Sequence, residues 1–126
     1  MSDLESFSFG DSPELADELL ALVLLGKKTA TTWAASEGDK GVEVGKRWIV
    51  KDGQGRARAV LETVELTRRR FEDVDEGFAH DEGEGDRSLP WWRRAHTDYF
   101  TRRSEFAPGM DVYCERFRVV EAIERE

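Results

Sequence analysis

Cysteine is nearly absent from this chain. Cys114 stands alone, which excludes an internal disulfide and a cysteine-built zinc site. Long apolar runs are missing as well: no stretch approaches the roughly 18 residues a membrane-spanning helix needs, so no membrane partner is expected. Met1-Ser2-Asp3-Leu4-Glu5 has neither the basic start nor the apolar middle of a secretory signal, and the cytoplasm is the expected compartment. Positive charge is in deficit, with 19 Lys and Arg against 27 Asp and Glu and a net charge of −8. That balance argues against broad affinity for duplex nucleic acid. What remains is 126 residues, 39% hydrophobic and 37% charged, a composition that folds and dissolves. One domain over 1–126 is expected, with a single core and no linker, repeat or low-complexity tract.

The charge that is present is sorted along the chain. Residues 1–26 carry no Lys or Arg, whereas Gly26 to Arg58 holds eight basic residues against four acids. Glu72 to Asp86 holds eight acids and no Lys or Arg, and Arg87 to Arg103 reverses sign with five arginines against one aspartate. Local basic surfaces on an acidic body suit a small anionic ligand or a short single strand better than a long duplex. Solvated faces are the plainer reading of the same pattern.

The elements follow from capping and period. Asp11-Ser12-Pro13-Glu14 starts a helix, Leu15, Leu19, Leu20, Leu22 and Val23 recur at helical spacing, and Gly26 stops it. Residues 34–46, with Gly38, Gly41 and Gly45, read as a loop. Arg47 to Lys51 and Ala57 to Leu66 read as strands joined through Asp52-Gly53-Gln54-Gly55. Phe71 to Phe78 reads as short helix or loop. Ser88 caps a helix that carries Leu89, Trp92, His96, Tyr99 and Phe100, and Met110 to Ile123 alternates as a long closing strand. The sum is an α+β domain: a mostly antiparallel, barrel-like sheet flanked by two or three helices.

Chemistry concentrates in Gly26-Lys27-Lys28-Thr29-Ala30-Thr31-Thr32-Trp33, where two lysines and three hydroxyls meet at a helix-to-strand junction. Lysine beside threonine can hold a phosphate, polarise a carbonyl, or start a hydrolysis if one amine is kept neutral. Lys28 beside Gly26 can equally cap helix carbonyls, and Lys27 reads as its solvated partner. Thr31 is also a good strand residue, and strict alternation would turn it away from Lys28 unless Gly26 to Thr29 forms a turn. In the acidic run, Gly83 and Gly85 suggest a shaped loop around Glu82 and Glu84. His80 among these acids leaves a divalent metal open, although one histidine and no calcium-loop spacing speak against it; no cofactor is expected. Ser88 reads first as a helix cap, Arg93 as a phosphate contact or a partner of the acids, and Trp33 as core or a base-stacking ring.

Several of these segments, in this order, resemble ASCH domains, which are similar in fold to the PUA β-barrel. They are Gly26-Lys27-Lys28-Thr29-Ala30-Thr31, the Trp48 to Val64 hairpin, Phe78-Ala79, Glu82-Gly83-Glu84-Gly85-Asp86-Arg87-Ser88-Leu89, Trp92-Arg93, His96, Phe100 and Cys114-Glu115-Arg116-Phe117. The resemblance implies RNA binding or RNA processing. Some similar small bacterial members are ribonucleases, and others are amidohydrolases that deacylate N4-acylated cytidine. By the Gly-x-Lys-x-x-Thr motif, the amidohydrolase lysine and threonine fall on Lys28 and Thr31, and the downstream glutamate on Glu82 or Glu84. The ribonuclease-like serine falls on Ser88. The amidohydrolase motif commonly continues to an arginine, whereas Thr32 and Trp33 stand here.

Three functions are therefore in play. Cleavage of single-stranded RNA comes first, with Lys28 and Arg93 on the phosphate and Glu82 or Ser88 moving the proton. Hydrolysis of an N4-acylated cytidine comes next: Thr31 attacks, Lys28 with a depressed pKa takes its proton, and Glu82 holds the base edge or passes the proton to the leaving amine. A binding module without chemistry is third, using Lys28 and Thr31 as donors and Trp33 or Trp92 for stacking. The partner is single-stranded RNA or a modified nucleoside, and the sequence is silent on oligomeric state.

Overall fold

A computed structural model describes residues 4–123; Met1 to Asp3, part of the stretch read for a targeting signal, and residues 124–126 lie outside it. The chain runs β1 (Glu5–Phe7), α1 (Pro13–Leu24), β2 (Ala30–Ala34), β3 (Arg47–Lys51), β4 (Ala57–Arg70), α2 (Glu76–Glu82), α3 (Leu89–Arg102) and β5 (Asp111–Ala122). Short 3-10 turns follow β2 and β4. The strands form one mixed sheet in the order β1-β3-β4-β5-β2, in which only the β1–β3 pair is parallel. It curls into a half-barrel with three helices. Register shifts at Val60/Leu61 and Thr63/Glu65 lie in the β4–β5 ladder, and extra residues of this kind bend a strand. β1 is the element the sequence hides, because three residues are too few to display alternation.

Local chemistry explains the rest. The Ser12 hydroxyl accepts from the Leu15 amide at 3.1 Å, and Pro13 opens α1 without losing a needed donor. Its buried stripe is Ala16, Leu19, Leu20 and Val23, and the last three pack on Val50, Ala59, Leu61 and Phe117 of the sheet. At the other end of the half-barrel, Phe71, Phe78, Trp92, Phe100 and Val112 form a second cluster that seats α2 and α3. The hairpin turn is held by the Asp52 carboxylate, which accepts from the Gln54 and Arg56 amides. No helix among the described residues is long and apolar enough to cross a membrane.

Two helix ends set up the site. α1 closes in a Schellman arrangement: the Lys27 amide donates to Leu22 O and the Gly26 amide to Val23 O, with Gly26 at φ 80°. The chain thereby turns back before β2 begins. α2 ends on Gly83 at φ 73°, packed so tightly that a Cβ there would strike the Lys27 carbonyl. The two segments are sewn together by the Thr29 amide donating to Asp81 O at 2.7 Å and by Arg87 reaching Lys27 O and His80 O.

Candidate functional site

Because β2 starts only at Ala30, strand alternation does not govern Lys28. Its side chain turns inward and is 1% exposed. The ammonium donates to Ala30 O at 2.9 Å, to Glu82 Oε1 at 3.0 Å and to Glu84 Oε2 at 2.8 Å. It also sits over the Phe9 ring, 5.6 Å from its centroid. Both acidic candidates, Glu82 and Glu84, thus meet one lysine. Glu82 is not in a loop, as the flanking glycines suggested, but is the last residue of α2. Its Oε2 accepts from Trp92 Nε1 at 2.9 Å, so both of its oxygens carry a donor.

The protonation state corrects the sequence reading. Burial alone would lower the Lys28 pKa, but attraction to Glu82 and Glu84 and their hydrogen bonds outweigh it and hold the amine above its ordinary value. Lys28 is an ammonium here, not a neutral base. Burial works against the Glu82 carboxylate in the same way, and Lys28, with help from His96 and Trp92, overrides it and keeps Glu82 ionised.

Lys28, Thr31, Glu82 and Glu84 line one half-enclosed cavity of about 420 Å³. Its walls include Phe9, Trp33, Trp48, His96 and Tyr99, which makes it aromatic around an acidic floor. A volume of that order holds a small organic ligand. Trp33 forms a fixed wall rather than a free stacking platform. Its Nε1 donates to Gly38 O at 2.7 Å, Tyr113 stacks on it at 5.6 Å, and Lys40 Nζ lies 5.3 Å over its ring. Trp92 is buried between Phe71 and His96 and serves Glu82.

Other sequence candidates lie elsewhere. Ser88 is the N-cap of α3, accepting from the Trp91 amide at 3.2 Å, and Arg93 is exposed and donates to Glu72 O at 3.1 Å. Neither lines the cavity, nor do Gly26 and Lys27, which are exposed. Ser88→Ala is therefore expected to cost about 1 kcal/mol of stability, seen as a lower Tm, and to leave activity at the cavity unchanged. Among the described residues no three His, Cys, Asp or Glu side chains gather as a metal site, and His80 is exposed on α2.

Two cavity residues escaped the sequence reading. His96 Nδ1 lies 2.9 Å from Trp92 O; a carbonyl only accepts, so Nδ1 donates, and Nε2 lies 3.7 Å from Glu82 Oε2. Its position on the apolar face of α3 disguised it as core. Glu115 on β5 is buried at 8% exposure, and Thr63 Oγ1 donates to it at 2.6 Å. The available signal was an acid in step with Tyr113 and Phe117 on a strand.

The family model for the ASCH domain matches residues 5–121. The chain belongs to the ASCH domain family. An ASCH domain from Lactobacillus crispatus JV V101 superposes with a TM-score of 0.85 at 30% identity, covering 94% of this chain and 80% of that one. A protein from Enterococcus faecalis V583 gives 0.83 at 28% identity, covering 98% and 84%. A hypothetical protein at 13% identity and a TM-score of 0.62 shares the fold, covering 82% of this chain and 93% of its own. No curated protein matches the sequence. This ASCH domain shares with its relatives the helix-capped half-barrel that carries the cavity.

Proposed function

We propose that this ASCH domain hydrolyses the acyl amide of a small N4-acylated cytosine nucleoside. The observation that carries the reading is the meeting of Lys28, Thr31 and Glu82 in one aromatic cavity of about 420 Å³. Those are positions onto which the amidohydrolase motif falls, whereas Arg93, the second phosphate cation of the RNA-cleavage scheme, and Ser88, its alternative to Glu82 for the proton, are absent from it. The sequence order of preference is thereby reversed.

In this reading the Thr31 hydroxyl attacks the acyl carbonyl. The Lys28 ammonium, already desolvated and fixed by Glu82 and Glu84, faces the negative charge that develops on the carbonyl oxygen. The carboxylate of Glu84, less buried than that of Glu82, is free on one oxygen to accept from the base edge. Aromatic walls exclude water and hold the ring plane.

RNA binding is generally associated with the family and remains the second reading. Lys40 and Arg102 line the cavity and are exposed, which suits a phosphate-bearing chain passing its mouth. The test is direct: incubate the protein with N4-acetylcytidine and, separately, with short single-stranded RNA, and separate the products by chromatography. Cytidine and acetate, with the RNA intact, are expected. Cleaved RNA and unchanged N4-acetylcytidine would reverse the order again.

A further inference from the structure

Given the hydrolytic reading, the reaction lacks a base: Lys28 is protonated, and someone must receive the Thr31 proton. We propose that Glu115 is that acceptor, and that Lys28 serves as the cation facing the oxyanion. Thr31 and Glu115 are direct partners across the β2–β5 ladder. Directly opposed residues project from the same face with Cβ atoms about 4.5–5.5 Å apart. Both line the cavity.

Glu115 differs from the other two acids of the cavity. Glu82 and Glu84 are each paired with Lys28, while Glu115 enters no ion pair among the described residues. Among the described residues its one side-chain hydrogen-bond partner is the Thr63 hydroxyl, which leaves an oxygen for Thr31. A buried carboxyl with no cation beside it is costly to a fold, and such groups gather at sites that use them. Burial raises its pKa, opposed by the Thr63 hydrogen bond and by the more distant Lys28. Glu82, Glu84 and His96 share the cavity with it. A carboxylate raised in this way is a better proton acceptor at neutral pH than an ordinary one.

The steps balance. Glu115 takes the Oγ proton as Thr31 Oγ bonds to the acyl carbon and the carbonyl pair moves to oxygen. Collapse of the adduct breaks the C–N4 bond, and the proton passes from Glu115 to N4, releasing cytidine and leaving an ester on Thr31. Water then attacks the ester and gives a proton to Glu115. As the C–O bond breaks, that proton returns to Thr31 Oγ and the carboxylic acid leaves.

The experiment follows Thr31 acylation by mass spectrometry, using N4-acetylcytidine and, as a generic acyl donor, p-nitrophenyl acetate. Glu115→Gln is expected to slow acylation by both by roughly 100-fold or more. It should not lower Tm. Because the folded pKa of Glu115 lies above its unfolded value, the ionised group costs stability at high pH and nothing once protonated. The variant should therefore melt above the parent at neutral pH, and the two should converge in acid. Thr63→Val, which removes the hydrogen bond to Glu115, should shift the acid limb of the acylation rate to higher pH. Glu115-dependent acylation by p-nitrophenyl acetate alone would retire the cytidine substrate and keep Glu115 as the base. Undiminished acylation in Glu115→Gln, or no acylation of Thr31 by either donor, would overturn the proposal.

Discussion

Lys28→Met is expected to lose about 3–5 kcal/mol of stability, the usual cost of removing one member of a buried ion pair. The cause is not the methionine, whose volume is similar, but Glu82, left as a buried carboxylate with Trp92 Nε1 as its remaining strong donor. The sign of the pH dependence follows. In the parent protein the raised Lys28 pKa gives stability that is present below about 10.4 and lost as pH rises through the folded value. The depressed Glu82 pKa gives stability present above about 4.3 and lost as pH falls through its folded value. The parent should hold a plateau between those limits. The variant should instead gain on the parent as pH falls, because an uncompensated Glu82 takes up a proton. Chemical denaturation across pH checks this, and a constant gap down to acid pH would refute the charge argument. The double variant Lys28→Met/Glu82→Gln should recover at least half of the loss without recovering activity, which separates folding from function.

Thr31→Val is expected to abolish N4-acetylcytidine hydrolysis, by roughly 1000-fold or more, as loss of a nucleophile does. Stability should change by less than about 1 kcal/mol, because valine keeps the β-branched shape that a strand favours. Thr31 is half-buried, and its side chain makes no hydrogen bond among the described residues that the substitution would break. Thr31→Ser, with a hydroxyl in nearly the same place, should retain measurable turnover. Steady-state rates and thermal melts of the three proteins give the comparison. A valine variant with near-parental rates would remove Thr31 from the chemistry whatever else the cavity does.

The contrast between these two residues shows what a sequence can disclose. Capping and period placed the Ser12 and Ser88 helix starts, the Arg47–Lys51 strand and the long closing strand close to where they lie. Lys28, Thr31 and Glu82 were named by residue type and motif. Their convergence is legible only as a condition, a turn over Gly26 to Thr29, because it depends on two left-handed glycines: Gly26 turns the chain before β2, and Gly83 presses α2 against Lys27. Charge state was less legible still. Local sequence around Lys28 suggested an amine to be neutralised by burial, and the acids that fix its proton arrive from 54 and 56 residues away. His96 and Glu115 were hidden for a related reason. Each lies on an inward face among aromatic neighbours, where pattern reads them as core.

The central claim is that the cavity around Lys28, Thr31 and Glu82 breaks an acyl–N4 bond, and cytidine release from N4-acetylcytidine tests it most directly. Multiple turnovers by the parent protein, lost in Thr31→Val at unchanged Tm, are expected. Intact N4-acetylcytidine after prolonged incubation with folded parent protein, or equal turnover by Thr31→Val, would contradict it.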